Sequence, residues 1–200
     1  MSDKPVICLA GFAAVGKSTV GKIVAKRLRL KYVSGGDALK ELAVDMGYRP
    51  GGAGWWETAK GLEFLGLRAR DPSFDKKVDK KLLEICRAGG VVVDSWVMPW
   101  LYKGRAFKVW LTADFKSRAE RMAKRSKISV KQASRLLRSR DRKSSEIYKR
   151  LYGIRIGRDL SPFHLIVDTS GLSPNQVAEI VVQTAKHFFK APTRRQRRRG

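Results

Sequence analysis

The sequence predicts an α/β fold: a parallel sheet covered by helices on both faces. Three observations carry this. Short apolar runs that read as buried strands alternate with longer stretches of helical spacing, the pattern of βα repeats. The first run, Val6–Ala10, leads into a glycine-rich turn and then a helix. The last run, Leu165–Val167, is followed by a capped helix, so the alternation continues to the end.

The elements follow in order. After Val6–Ala10, the stretch Gly11-Phe12-Ala13-Ala14-Val15-Gly16-Lys17-Ser18-Thr19 reads GxxxxGKST. Val20, Ile23, Val24 and Leu28 then recur at helical spacing. Strand, glycine-rich turn and helix in that order make this Walker A sequence a credible phosphate cradle. Glycines let several N–H groups converge on one anion, and the helix adds its positive end. Lys17 can reach the outer phosphates of ATP, and the Ser18 hydroxyl can ligate Mg²⁺. The nine residues from Gly11 to Thr19 are the expected ATP-binding set.

Tyr32–Ser34 reads as a second strand, and Gly35-Gly36-Asp37 as the turn into a helix over 38–46. Gly47, Pro50, Gly51, Gly52 and Gly54 mark a loop, and a mixed helical stretch runs through Trp55, Trp56 and on to Leu67. A helix begins at Asp71-Pro72-Ser73, buries Val78, Leu82, Leu83 and Cys86, and ends at Gly89-Gly90. Val91–Asp94 is a buried strand with an acid at its end. That acid, Asp94, follows the Walker B pattern: it holds Mg²⁺ through water or orients an acceptor, or else simply caps a turn. Asp37 is either a functional acid or an N-cap. Val109–Leu111 is the next strand, Asp114 caps the helix carrying Arg118, Arg121 and Arg125, and Ser129 to Gln132 reads as a capping box. Another such box, Ser173 to Gln176, opens the last helix. Ligands of a parallel sheet sit at the carboxyl ends of its strands, where Gly11, Ser34, Asp94 and Asp168 all fall.

The segment from Arg135 to Arg158 is dense in cations, Arg140 and Arg142 among them. It suits a helical lid whose arginines close over a transferring phosphoryl group, or else a basic RNA-binding face. Composition keeps both open. The 200 residues hold 43 Lys and Arg against 18 Asp and Glu, a net charge of +25, and without the five arginines of Arg194–Arg199 it is still +20. Such a chain attracts polyanions. Trp55, Trp56, Trp96, Trp100 and Tyr102 are either base-stacking plates or core, and Trp110, inside a strand, is core. Two cysteines and two histidines, scattered, form no disulfide framework and no zinc pattern, which fits a reducing compartment and a cytoplasmic location. No apolar run has the length of a membrane span.

Taken together, Gly11–Thr19, the stretch Val33–Ala43 (VSGGDALKELA), Asp71-Pro72 with Asp75 and Asp79, Arg118–Arg125, Ile128–Val130, Tyr148 and Leu151–Ile154 resemble the archaeal-type cytidylate kinases of the nucleoside monophosphate kinase family. The resemblance spans roughly residues 5 to 190. It implies a P-loop nucleotide-kinase fold with a helical lid, and transfer of the γ-phosphoryl of ATP to CMP or dCMP with Mg²⁺. Lys17, Asp94, Arg140 and Arg142 are the implied catalytic set. Asp37 and Lys40 lie on the implied acceptor side, with Asp75 or Asp79 near the acceptor base; Ser34, at its strand end, and Trp96, in place of the family arginine, are expected beside them. The implied organisation is one kinase domain over 1–191, with an acceptor-binding insertion over about 36–88 and a lid over about 126–158, then a basic, disordered tail over 192–200. Three departures fall on the acceptor half. Where the family reads acid-Gly-Arg after the third strand, this chain has Asp94-Ser95-Trp96, which exchanges a bidentate phosphate clamp for a stacking plate. Ile147 stands where an arginine usually precedes the lid tyrosine, and the region 48–67 is longer than the family norm. The competing reading is a basic RNA- or ribosome-associated ATP-binding protein on the same fold, with weak or no CMP kinase activity.

Overall fold

A computed structural model describes residues 4–52 and 54–191. The basic tail lies outside the described residues. Five strands form one parallel sheet: β1 (Val6–Ala10), β2 (Lys31–Ser34), β3 (Val91–Asp94), β4 (Phe107–Thr112) and β5 (Leu165–Asp168), in the spatial order β2-β3-β1-β4-β5. The register sets Ser34 beside Asp94, Leu9 beside Asp94 and Ala10 beside Trp110, so the carboxyl ends form one edge.

All five residues of β1 are buried because both sheet faces are covered. Side chains alternate along the strand. Ile7 and Leu9 pack with Val92, Val109 and Leu111 beneath α1 (Lys17–Leu28) and α8 (Pro174–Lys190). Val6 and Cys8 face the opposite way, toward α2 (Gly35–Asp45), α3 (Ala59–Arg70) and α4 (Ser73–Ala88). The short α5 (Met98–Leu101) follows β3, a helix not expected from the sequence. A third packing group, Ala13 with Met122, Ala133 and Leu137, joins the glycine-rich loop to α6 (Phe115–Ser126) and α7 (Val130–Tyr152).

Caps fall largely where the sequence places them. Asp114 accepts the Ser117 N–H, and Ser129 and Ser173 each form reciprocal capping boxes with Gln132 and Gln176. Two boundaries differ. Gly35 and Gly36 belong to the first turn of α2 rather than to a preceding turn, because Ser34, the last residue of β2, is the cap and accepts the Asp37 N–H. Asp37 is therefore inside the helix and is not its N-cap. The helical stretch from Trp55 divides into a 3-10 turn (Trp55–Glu57) and α3, separated by Thr58, whose hydroxyl caps α3 through the Gly61 N–H.

Candidate active site

The first loop is shaped by backbone geometry. A Cβ on Gly11 would sit 2.2 Å from the Leu111 carbonyl oxygen, and Gly16 has φ +97°, positions that side chains rarely tolerate. Ala14 takes a left-handed φ of 61° without that freedom. Lys17 Nζ donates to the carbonyls of Gly11 and Phe12, both at 2.9 Å. Ser18 Oγ donates to Asp94 Oδ2 at 2.6 Å, and the Tyr32 hydroxyl donates to the same oxygen at 3.2 Å. The Walker A serine and the acid after β3 are thus in direct contact. Burial pulls the Lys17 ammonium down from 10.5 to about 8, with Asp94 opposing; taking a charge out of water disfavours it, and a nearby carboxylate restores part of the loss.

Ala13, Ala14, Gly16, Lys17, Ser18 and Thr19 open into a cavity of about 690 Å³. Phe12 and Val15 turn away from it. Phe12 packs edge-on against Trp96 and Trp110, and Val15 is in the core beneath α1. Asp168, at the end of β5, turns to Ser170 and is absent from the cavity wall.

The same cavity takes in Ser34, Asp37, Lys40, Asp79, Asp94 and Trp96 from the other side. Lys40 Nζ bridges Asp37 and the Gly52 carbonyl, both at 3.3 Å. Trp96 lies 6.4 Å from Tyr148 with rings 26° apart, and Lys17 Nζ is 5.4 Å from its centroid. Asp75 is behind the cavity wall. It takes two hydrogen bonds from Arg68, Nε to Oδ2 at 3.1 Å and Nη2 to Oδ1 at 2.6 Å, and a third from the Tyr148 hydroxyl at 3.0 Å. Arg68 itself reaches the cavity. One turn along α4, Asp79 accepts from the Tyr152 hydroxyl at 3.0 Å. Burial pushes Asp79 from 3.8 up to about 7, the Tyr152 hydrogen bond and Arg68 opposing while neighbouring Asp75 adds to the rise.

The two candidate arginines of the lid part company. Arg140 lines the cavity, where Nη1 donates to Glu57 Oε1 at 2.7 Å, while Arg142 is exposed and absent from the cavity wall. Asp141 reaches the first loop instead. It accepts the Ala13 N–H at 3.2 Å and pairs with Arg118, whose Nε donates to the Ala13 carbonyl at 2.9 Å. Sequence reasoning assigned no role to Arg68, Glu57, Arg125 or Asp141. For Arg68 a signal existed: it continues the buried stripe Gly61, Phe64, Leu65, Arg68 of α3, where a cation requires a buried partner. Glu57 sits in an irregular turn and carries no periodic signal.

Trp55, Trp56, Trp100 and Tyr102 are all buried, so their role is packing; Trp56 also contributes to the cavity wall. Of the five candidate stacking plates only Trp96 is left half-exposed, and it faces the cavity. Among the described residues no group of three or more His, Cys, Asp or Glu is placed to hold a metal. The Ser18–Asp94 pair nonetheless suits Mg²⁺, which keeps several waters and is bound through one or two carboxylates together with substrate phosphates. No helix among the described residues is long and apolar enough to cross a membrane.

Comparison with known proteins shows the family and the fold. The chain matches the model of the cytidylate kinase-like family over residues 6–171. It is 34% identical over 186 residues to the cytidylate kinase of Pyrococcus horikoshii, covering 93% of this chain and 91% of that one. The cytidylate kinase of Pyrobaculum islandicum is 35% identical over 176 residues, 88% and 89% of the two chains. Shikimate kinase from Acinetobacter baumannii shares the fold, with a TM-score of 0.53 at 16% identity over 92% of this chain and 94% of that one. A gluconokinase from Sinorhizobium meliloti does so too, at 0.53 and 16% over 95% and 96%. With the family model matched over residues 6–171 and a relative 34% identical along nine-tenths of both chains, the chain belongs to the cytidylate kinase-like family.

Proposed function

We propose that this protein is an ATP-dependent nucleoside monophosphate kinase that moves the γ-phosphoryl group of ATP to CMP or dCMP in the cytoplasm. One observation carries the reading: the donor loop, Arg140 and every expected acceptor residue but Asp75 line one cavity. The two buried, unpaired thiols Cys8 and Cys86 fit a reducing compartment.

The Gly11–Gly16 backbone and the start of α1 cradle the β- and γ-phosphates. Lys17 leaves the carbonyls of Gly11 and Phe12 for the outer phosphates. Ser18 and Asp94 would hold Mg²⁺, which would supply neutralisation of the phosphate charge. An oxygen of the acceptor monophosphate attacks the γ-phosphorus in line; that bond forms as the bond to the ADP leaving oxygen breaks. Arg140 offers N–H groups to the transferring group, whose charge spreads over three oxygens. Arg142, on the exposed face, is left out of this step. Ser34, Asp37 and Lys40 bind on the acceptor side. Asp79, raised by burial to about 7 and so partly protonated near neutral pH, can donate a hydrogen bond to an acceptor base. Asp75 acts indirectly, by orienting Arg68 and Tyr148. Trp96 supplies an aromatic wall where the family has an arginine.

The test is ADP formation from ATP and Mg²⁺ with each nucleoside monophosphate in turn. A rate specific to CMP or dCMP is expected. Turnover with none of them, or faster turnover with a purine monophosphate, overturns the assignment.

A further inference from the structure

Glu57 is an acid without an evident task in phosphoryl transfer, yet it accepts three hydrogen bonds, two of them from the cavity-lining Arg125 and Arg140. It lies in the 3-10 turn within the long 48–67 region, and its side chain is only 2% exposed. Oε1 accepts from Arg140 of the lid at 2.7 Å and from Arg125 of α6 at 2.9 Å, and Oε2 accepts from the Ser126 hydroxyl at 3.3 Å. The turn is thereby joined through one carboxylate to two consecutive helices, α6 and α7, that lie 68 to 83 positions further along the chain.

The preceding residue acts on the same arginine. The Trp56 ring has the Arg140 guanidinium 5.4 Å from its centroid and the Arg68 guanidinium at 5.5 Å. Arg140 is thus held by a charged hydrogen bond at one nitrogen and by the ring beside it, contacts suited to a planar guanidinium and poorly matched by lysine. Among the described residues the other nitrogens of Arg140 have no protein acceptor, which leaves most of its five N–H donors for a ligand. Arg68 differs, since two of its nitrogens are committed to Asp75.

We infer that Glu57, braced by Trp56, is a positioning residue that sets lid Arg140 for phosphoryl transfer and couples lid closure to the acceptor-side insertion. The inference rests on the kinase reading above. A transition-state donor is most effective when fixed in advance, and Glu57 fixes this one from the insertion rather than from the lid itself. Its carboxylate also separates Arg140 from Arg125, whose charges would otherwise repel at close range.

The experiment is a double-mutant cycle on the full-length protein. Glu57→Gln keeps the shape and removes the charge. We expect kcat with CMP to fall roughly 10- to 100-fold while KM for ATP stays within about twofold. In an Arg140→Ala background, Glu57→Gln should change kcat by less than about twofold, because its effect passes through that arginine. Wild-type kcat in Glu57→Gln, or an equal loss in both backgrounds, overturns the inference; the second result makes Glu57 a residue of fold stability only. If Glu57→Gln does not fold, Glu57→Asp, which keeps the charge and shortens the reach, carries the same cycle. If the wild type turns over no monophosphate, the kinase reading fails separately. The brace is then judged by amide hydrogen exchange: Glu57→Gln should speed exchange in residues 136–144 relative to α1, and unchanged exchange there rejects it.

Discussion

The two sides of the cavity, proposed above as its donor half and its acceptor half, are built by different means. The donor half is mostly backbone from one contiguous stretch, Gly11–Thr19, whose shape depends on glycine at two positions. The acceptor half is side chains from β2, α2, α3, α4, the segment after β3, and α7, and nearly every charge in it already has a protein partner: Arg68 with Asp75, Lys40 with Asp37, Arg140 with Glu57. A backbone cradle needs the right turn and little else. A side-chain pocket needs each buried charge matched, and the partner is a near neighbour for Lys40 and Arg68 but 83 positions away for Arg140.

The sharpest test of the comparison is Lys17→Ala. It removes a donor-half charge whose loss no neighbour replaces, and kcat with ATP should fall by at least about 1000-fold with little change in thermal stability. Near-normal turnover would place the donor site elsewhere.

Arg68→Met should behave in the opposite way. It strands Asp75 in the interior, and removing one partner of a buried pair costs about 3–5 kcal/mol. Urea unfolding should show that loss, with a raised KM for the monophosphate and ATP binding nearly intact. A stable variant with normal acceptor KM would mean the acceptor half is not organised around this pair.

The two halves should also differ in pH response. Asp79 titrates near 7 in the fold against 3.8 ordinarily. The folded state therefore binds more protons than the unfolded chain between about pH 4 and 7, and the Asp79 contribution to stability falls as pH rises through that window. Asp79→Asn should flatten the slope; an unchanged profile from thermal melts at pH 5 and pH 8 would contradict this origin. The smallest effect belongs to Lys17, lowered to about 8. Phosphate restores its charge, so ATP binding at pH 8 should take up roughly half a proton, seen as a buffer-dependent heat in calorimetry that disappears near pH 6. Absence of proton uptake at pH 8 would show that Lys17 is already fully charged.

The comparison also marks how far the sequence could be read. The five strands, the capping boxes at Ser129 and Ser173 and the Gly89-Gly90 stop were legible because each depends on residues within a few positions of one another. The helix expected from Ala38 starts at Gly35, because Ser34, at the end of a strand, is its cap, and this removes the N-cap alternative for Asp37. Arg142 and Arg140 look alike in a basic helix, and only the direction each faces separates them.

By itself the sequence determined the phosphate loop, since glycine at 11 and 16 and the lysine after them specify a local backbone path. It also determined the parallel order of strand and helix, since hydrophobic spacing reports which face is buried. Tertiary structure alone decided that Glu57 would hold Arg140, that Arg68 would answer Asp75, and that Asp141 would reach the Ala13 amide. Those choices join residues 83, 7 and 128 positions apart, chiefly through charge pairing in a region of low water access, where a charge is stable only beside the partner the fold brings to it.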